Sequence, residues 1–222
     1  MEITIVHVMR HGEVDNPGGV LYERIPGFGL TDRGHAMAQR VADSLIVDGH
    51  DIARVIASPL LRAQQSAAPT ARAFDLPIEA DPRLIEAASP FRGVAINANR
   101  ALLAQPKYWH LYTHPLRPSW GEPYREVASR MSAALSGALR EARGREALVV
   151  SHQMPITTLT RFARCQVLPH SPMSRVCSLA SLTSFTFDGS TLVGIAYSEP
   201  AGDLLSGAAD MTPGASEASL KR

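Results

Sequence analysis

The chain opens with ITIVHVMRHGE at residues 3–13, an apolar stretch that ends in an Arg-His-Gly tripeptide. The β-branched residues from Ile3 to Met9 predict a buried strand, and the Gly- and Pro-rich residues 16–29 predict a long loop. The tripeptide therefore lies where the first strand gives way to a loop. A histidine exposed there, between arginine and glycine, suits nucleophilic attack on a phosphoryl group.

Strand and helix patterns alternate after this loop. Thr31 is a candidate N-cap for a helix whose apolar spacing stops at Asp48-Gly49. Residues 53–57 predict a second short buried strand. Ser58-Pro59 predicts the N-cap and the first position of a second helix, with Arg62 in its first turn or two.

The second half of the chain repeats the alternation. Apolar residues from Val127 to Leu139 recur every four positions and predict an amphipathic helix that ends near Gly144. A strand is predicted over residues 147–150, followed by Ser151-His152 in a turn and a helix that starts near Pro155.

Two alternating runs, residues 181–187 and 191–197, flank Asp188-Gly189 and predict a hairpin. Together the patterns predict an α/β fold of three layers, α/β/α. Its sheet is expected to be mostly parallel, with helices on both faces and an inserted lid segment.

Four basic side chains follow the predicted strands, and ligands of such sheets bind at the carboxyl ends of the strands. Arg10 and Arg62 supply planar, permanently charged forks that match phosphate geometry, and they predict an anion clamp. His11 is the candidate nucleophile, since nearby cations disfavour its charged form and lower its pKa. His152 is expected to hydrogen-bond an equatorial phosphate oxygen.

The leaving oxygen needs a proton, which a partly covered carboxyl group can supply. Glu86 and Glu13 are the two candidates. Glu86 lies at the entry to an irregular aromatic segment, and a bound phosphate dianion would raise its pKa and keep it protonated. Glu13 lies two residues from His11, so spacing alone leaves both open, with Glu86 preferred.

Five short motifs occur in order along the chain: RHGE at 10–13, LTDRG at 30–34, ASPLLRA at 57–63, LIE at 84–86 and VSH at 150–152. Over about residues 3–199 they resemble the successive motifs of the histidine phosphatase superfamily, also called the phosphoglycerate-mutase-like family. Trp120-Gly121-Glu122, with Arg130 on the following helix, is similar to the Gly-Glu-Ser segment of that family.

The resemblance implies a phosphohistidine intermediate on His11 and phosphate binding by Arg10, Arg62 and His152. It implies that Glu86, rather than Glu13, is the general acid. It also implies that the protein needs neither a metal nor an organic cofactor.

Two positions depart from the family pattern. Members commonly carry an asparagine six residues after the nucleophile, but that position is Pro17 here and Asn16 stands one step earlier. The residue after the second histidine is often glycine and is Gln153 here, whose backbone amide remains available. Asn16 and Gln153 are the further candidate phosphate-binding residues.

The domain organisation is predicted to be simple. Residues 1–199 form one catalytic domain, with a lid insertion at about 87–121 that carries several aromatic residues. The composition of residues 200–222 is dominated by small and polar residues, so this tail is expected to be disordered.

Composition excludes several partners. Lys and Arg total 22 against 21 Asp and Glu, so no bulk basic surface for nucleic acid is expected. Without a long apolar run or a leader pattern, we expect a cytoplasmic protein with no membrane partner. The expected partner is a small phosphorylated substrate, and the oligomeric state is open, a homodimer being one option.

The sequence thus favours a phosphatase that hydrolyses small phosphate monoesters. One alternative is a phosphoglycerate-mutase-type phosphoryl transfer, although residues 87–119 lack the pattern of further basic residues expected of a mutase lid. The other alternative is a non-catalytic binding or scaffold protein with a degenerate site.

Overall fold

The structure is a computed structural model, and it describes residues 2–95, 105, 106, 109, 121–171 and 175–210. Six strands lie in this part of the chain: β1 (Ile3–Arg10), β2 (Ile52–Ala57), β3 (Ile78–Ala80), β4 (Glu146–Ser151), β5 (Leu182–Asp188) and β6 (Thr191–Ser198). It also holds four α-helices: α1 (Asp32–Val47), α2 (Leu61–Ala73), α3 (Tyr124–Glu141) and α4 (Gln153–Ala163). None of these helices is long and apolar enough to cross a membrane.

All six strands form one sheet in the order β3-β2-β4-β1-β5-β6. The first four strands in this order are parallel to one another, whereas β5 runs antiparallel to β1 and β6 antiparallel to β5. The predicted hairpin is therefore confirmed, and its turn uses Gly189 at a φ of 60°. The sheet is mixed, and the expectation of a mostly parallel sheet holds for its larger part.

The sheet is covered on both faces, as the α/β/α prediction requires. Val6 and Val8 of the central strand β1 pack in a core with α3 and α4. Met9, on the opposite face, packs in a second core with α1 and α2. Burial of β1 on both faces explains why its sequence is a nearly continuous apolar run.

Helix α1 begins as predicted, because the Thr31 hydroxyl accepts a hydrogen bond of 2.9 Å from the Gly34 N–H. The prediction for α2 is wrong by two residues. Its N-cap is Leu60 and not Ser58, because the Ser58 hydroxyl lies 2.8 Å from Nε2 of His152. Arg62 still lies in the first turn.

The lid prediction falls largely on residues 96–104, 107, 108 and 110–120, which lie outside the described residues. The flanks of that segment adjoin each other, since the Glu122 N–H donates to the Ala88 carbonyl at 3.1 Å. A Cβ atom at Gly121 would lie 1.8 Å from that carbonyl oxygen, so the junction requires glycine.

The expectation of a disordered tail is wrong for residues 200–210. This segment carries a 3-10 turn at Gly202–Leu204. Ala201 is buried, and Leu204 and Leu205 pack against the core formed with α1 and α2. Four apolar residues that pack against this core, Ala201, Leu204, Leu205 and Ala208, were too few in a mostly small and polar stretch to be recognised by composition. Residues 211–222 lie outside the described residues.

Candidate active site

His11 follows directly after β1 and is only 3% exposed. Its Nδ1 lies 2.8 Å from the carbonyl oxygen of Gly12. A carbonyl oxygen can only accept, so Nδ1 carries the proton and the lone pair of the neutral ring is on Nε2. Burial, followed by the charges of Arg62 and Arg10, holds the pKa of His11 well below its ordinary value. The ring is therefore neutral at physiological pH.

His152 comes from the end of β4 and faces His11, with 5.1 Å between the two ring centroids. It is fully buried, and its pKa is also held well below the ordinary value by burial and by Arg62. Nε2 contacts the Ser58 hydroxyl, whereas Nδ1 has no hydrogen-bond partner among the described residues. With Ser58 donating to Nε2, Nδ1 carries the proton and can donate it to an anion.

Arg62 is held from two sides near the start of α2. Its guanidinium carbon lies 4.7 Å from the centre of the Tyr22 ring, and Nη2 donates to the Glu23 carbonyl. Nε is buried and has no hydrogen-bond partner in the described part of the chain. An immobilised guanidinium with an unsatisfied buried donor is suited to binding an anion.

Arg10 lies at the end of β1, and the tail holds its guanidinium. Nη1 and Nη2 donate to the two carboxylate oxygens of Asp210 at 2.7 and 2.6 Å. Nη1 also donates to the Cys177 carbonyl at 2.7 Å. A carboxylate that accepts two parallel bonds from a guanidinium stands in for two oxygens of a phosphate. An anionic ligand that binds both terminal nitrogens of Arg10 must therefore displace Asp210.

Glu86 is partly buried, and its Oε1 accepts a hydrogen bond of 2.8 Å from the Ala87 N–H. Burial raises the pKa of its carboxyl above the ordinary value, against the opposing effects of this hydrogen bond and of the charges on Arg62 and Arg175. This shift favours the protonated form of Glu86, as a proton donor requires.

Glu13 is differently placed, because its carboxylate is already occupied by structural contacts. Oε2 accepts from the Thr31 hydroxyl at 2.5 Å. Oε1 accepts from the Ala209 N–H at 2.6 Å and lies 3.7 Å from Arg33. Glu13 thus joins the loop after β1 to α1 and to the tail.

The two further candidates, Asn16 and Gln153, are engaged with protein groups. The Asn16 amide bonds both the N–H and the carbonyl of Val20, at 3.2 and 2.9 Å, and so braces its loop. Gln153 is the first residue of α4, and its side-chain carbonyl accepts from Arg175 at 3.3 Å. A cavity of about 360 Å³, lined in part by Asn16, Tyr22 and Asp210, opens beside this loop.

Several residues near the site carried no sequence signal. Arg175 is 5% exposed, donates from Nε to His170 at 3.0 Å and acts electrostatically on Glu86. It lies in an irregular stretch before β5, where no periodicity points to it. Tyr22 and Asp210 likewise reach the site only because the chain folds back over it.

Glu122 and Arg130 of the motif named above belong to a hydrogen-bond network that contacts the backbone of Glu86. Arg130 donates to Glu122 Oε1 at 2.7 Å, and Arg24 donates to Glu122 Oε2 at 2.7 Å. Arg24 also donates from Nε to the Glu86 carbonyl at 2.6 Å. The network fixes the backbone at Glu86 through Arg24, and both of its arginines are paired with Glu122. Trp120 lies outside the described residues.

A model of the histidine phosphatase superfamily (branch 1) matches residues 6–198, which cover most of the chain and contain the site. The chain therefore belongs to the histidine phosphatase superfamily. The α/β fold, with these side chains at the carboxyl edge of the sheet, agrees with that membership.

Two relatives are similar to this chain over most of its length. The chain is 48% identical over 200 residues to "Uncharacterized protein Rv0525" of Mycobacterium tuberculosis, covering 90% of this chain and 98% of that protein. It is 31% identical over 161 residues to "Probable phosphoglycerate mutase GpmB" of Yersinia pestis, covering 69% of this chain and 72% of that protein.

Solved structures share the fold at lower identity. Bacillus stearothermophilus YhfR superposes with a TM-score of 0.70 at 24% identity, covering 95% of this chain and all (100%) of that chain. Mycobacterial glucosyl-3-phosphoglycerate phosphatase Rv2419c superposes with a TM-score of 0.67 at 20% identity, covering 88% and 96%.

Proposed function

We propose that this protein is a phosphatase that hydrolyses small phosphate monoesters through a phosphohistidine on His11. One observation carries the proposal: a buried, neutral His11 with its lone pair on Nε2 lies beside Arg62, Arg10 and His152, whose Nδ1 has no hydrogen-bond partner among the described residues. Membership in the histidine phosphatase superfamily supports phosphoryl transfer as the reaction class.

In the first step the substrate phosphate displaces Asp210 and binds Arg10, Arg62 and the Nδ1–H of His152. Nε2 of His11 attacks phosphorus, so that an N–P bond forms as the ester P–O bond breaks. Glu86 gives its proton to the departing oxygen. The guanidinium groups stabilise the charge that builds up on the equatorial oxygens.

In the second step water attacks the phosphohistidine. The Glu86 carboxylate takes a proton from that water, and the N–P bond breaks to release inorganic phosphate and neutral His11. Glu86 thus returns to its protonated form, which its raised pKa favours. The Gly12 carbonyl keeps the Nδ1 proton in place through both steps.

Glu86 is preferred over Glu13 as the acid because the Glu13 oxygens accept hydrogen bonds from Thr31 and Ala209. These contacts fix the Glu13 carboxylate to α1 and to the tail. Asn16 and Gln153 are assigned a smaller part in phosphate binding. Asn16 holds the shape of its loop, and Gln153 contributes through the backbone amides at the start of α4.

The likeness to a probable phosphoglycerate mutase keeps mutase activity as the second candidate. A mutase must protect the phosphohistidine from water, whereas a phosphatase lets water in. Phosphate release and isomerisation of 3-phosphoglycerate, measured on the same preparation, separate the two. Isomerisation that exceeds phosphate release would reverse our assignment.

The decisive experiment is a screen of phosphorylated metabolites for phosphate release, with His11→Ala run as the blank. We expect His11→Ala to lose turnover by about 10³-fold or more while its circular dichroism spectrum stays that of the wild type. A folded His11→Ala protein with undiminished turnover would refute the mechanism. A wild type inert on every substrate would favour the binding or scaffold alternative.

A further inference from the structure

A second cluster of chemically active side chains lies on the face of the sheet covered by α1 and α2, away from the catalytic edge. His7, His50 and Glu146 each offer one ligand atom there, and the three atoms lie within 4.8 Å of one another. Glu146 Oε2 is 2.9 Å from His7 Nε2 and 2.7 Å from His50 Nδ1. Two imidazole nitrogens therefore converge on one carboxylate oxygen.

The fold brings these residues together from three distant parts of the chain. His7 lies in β1, and Glu146 begins the neighbouring parallel strand β4, opposite Ile5 in the register. Positions two apart along paired strands share a face of the sheet, so the two side chains meet. His50 arrives after α1, where Gly49 at a φ of 75° ends the helix and the His50 N–H donates to the Leu45 carbonyl.

The His7 ring is oriented by a further contact. Ser184 pairs with His7 across β1 and β5, and its hydroxyl lies 2.8 Å from Nδ1. When Ser184 accepts from Nδ1–H, the lone pair of a neutral His7 lies on Nε2 and points at Glu146. In this tautomer Nε2 of His7 is available to bind a cation that Glu146 Oε2, 2.9 Å away, also binds.

Two imidazoles and one carboxylate are a donor set for borderline divalent ions such as zinc, and an outer hydroxyl that orients one histidine is a common companion of such sites. Zinc bonds of about 2.1 Å place tetrahedral ligand atoms about 3.4 Å apart. Glu146 Oε2 would need to move about 0.5–0.7 Å further from the two imidazole nitrogens, which now lie 2.9 and 2.7 Å from it. The two nitrogens would need to lie about 3.4 Å apart, and all three ligand atoms are already within 4.8 Å of one another. His50 and Glu146 are 27% and 16% exposed, which leaves solvent access for a fourth ligand.

We propose that His7, His50 and Glu146 form a site for a zinc-class divalent metal ion, with water as the fourth ligand and Ser184 orienting His7. His7 lies three residues before Arg10, roughly 10 Å along the strand. The ion is therefore structural: it ties the end of α1 to β1 and β4, and it does not touch the phosphate.

The test uses full-length protein stripped with a chelator and then titrated with Zn²⁺ or Co²⁺. We expect one equivalent to bind, to raise the midpoint of thermal unfolding and to give the visible absorption of tetrahedral Co²⁺. His50→Ala and Glu146→Gln should abolish the rise and the absorption. Ser184→Ala should weaken binding by about 10- to 100-fold.

Two histidine variants serve as controls. His35 is an exposed residue of α1 outside the cluster, so His35→Ala should bind as the wild type does. His11→Ala should also bind normally, and loss of binding there would place the ion in the catalytic site and overturn the proposal. Circular dichroism of each stripped variant checks that it folds.

A wild type that neither binds an equivalent nor gains thermal stability would show that the three residues form only a hydrogen-bonded cluster. Unchanged binding in His50→Ala and Glu146→Gln would place the ion elsewhere. Either result would overturn the metal site and leave the proposed phosphatase reaction unaffected, because the readouts do not involve turnover.

Discussion

Burial acts on His11 and Glu86 in the same direction, towards the neutral form of each group. A neutral imidazole has a free lone pair, and a neutral carboxyl has a proton to give. One physical effect thus favours the protonation states that the proposed nucleophile and the proposed acid require. The neighbouring cations add to it at His11 and oppose it at Glu86, so burial decides the outcome at Glu86.

Replacing Glu86 by glutamine removes the proton donor with little change of shape. We expect Glu86→Gln to slow hydrolysis of alkyl phosphates by about 10²- to 10⁴-fold, because an alkoxide leaves poorly without a proton. Hydrolysis of p-nitrophenyl phosphate should fall much less. Equal losses on the two substrates, measured as kcat/KM, would exclude Glu86 as the acid.

The raised pKa of Glu86 also predicts how turnover depends on pH. Because the pKa of Glu86 is raised, it keeps its proton to a higher pH than an exposed glutamate. Wild-type turnover of an alkyl phosphate should decline as pH rises through this pKa, and Glu86→Gln should lack the decline.

At the scale of elements, the junction between β1 and α1 positions His11. Glycines allow the close approach: a Cβ at Gly34 would lie 2.1 Å from the Glu13 carbonyl oxygen. A Cβ at Gly12 would lie 2.5 Å from the Gly34 carbonyl oxygen. The loop after His11 and the first turn of α1 are therefore in backbone contact, which accounts for the glycines of the RHGE and LTDRG motifs.

Thr31 closes this junction with two hydrogen bonds, accepting from the Gly34 N–H and donating to Glu13. We expect Thr31→Ala to lower the free energy of unfolding by about 1–2 kcal/mol, measured by urea denaturation. Thr31→Ser keeps the hydroxyl and should remain within a few tenths of a kcal/mol of the wild type. A Thr31→Ala protein as stable as the wild type would show that the cap contributes nothing.

At the scale of the whole molecule, the tail returns to the catalytic edge. Ala209 donates to Glu13, and Asp210 binds both terminal nitrogens of Arg10. This contact spans 200 residues of chain and sets a carboxylate in competition with any anionic ligand of Arg10.

Removing that competing charge should tighten anion binding. We expect Asp210→Asn to bind orthovanadate or phosphate roughly fivefold or more tightly, about 1 kcal/mol, as measured by inhibition constants. Asp203→Asn is the matched control, because it removes one charge from the same segment at an exposed pair with Arg40. An equal gain in both variants would indicate a general charge effect.

Much of the fold could be predicted because its signals are local. Apolar periodicity predicted the main strands and helices, and Thr31 indicated the start of α1. The short strand β3 and the true start of α2 were missed. The three residues of β3 are partly or fully exposed, so they show no apolar pattern. The Ser58 hydroxyl does not cap α2 because it contacts His152, which is 94 positions away in the chain.

The sequence by itself determined the superfamily and the layered α/β fold. It also placed the basic residues of the site at the ends of strands or at a helix start: Arg10, His11, Arg62 and His152. These features depend on short-range patterns and on the rule that parallel strands end at one edge of the sheet. Only the tertiary structure decided that Glu13 accepts hydrogen bonds from Thr31 and Ala209 and that burial raises the pKa of Glu86. It also decided that Asp210 lies on Arg10 and that His50 meets His7 and Glu146. Burial and hydrogen bonding depend on which distant segments pack together, and no local pattern of residues encodes that choice.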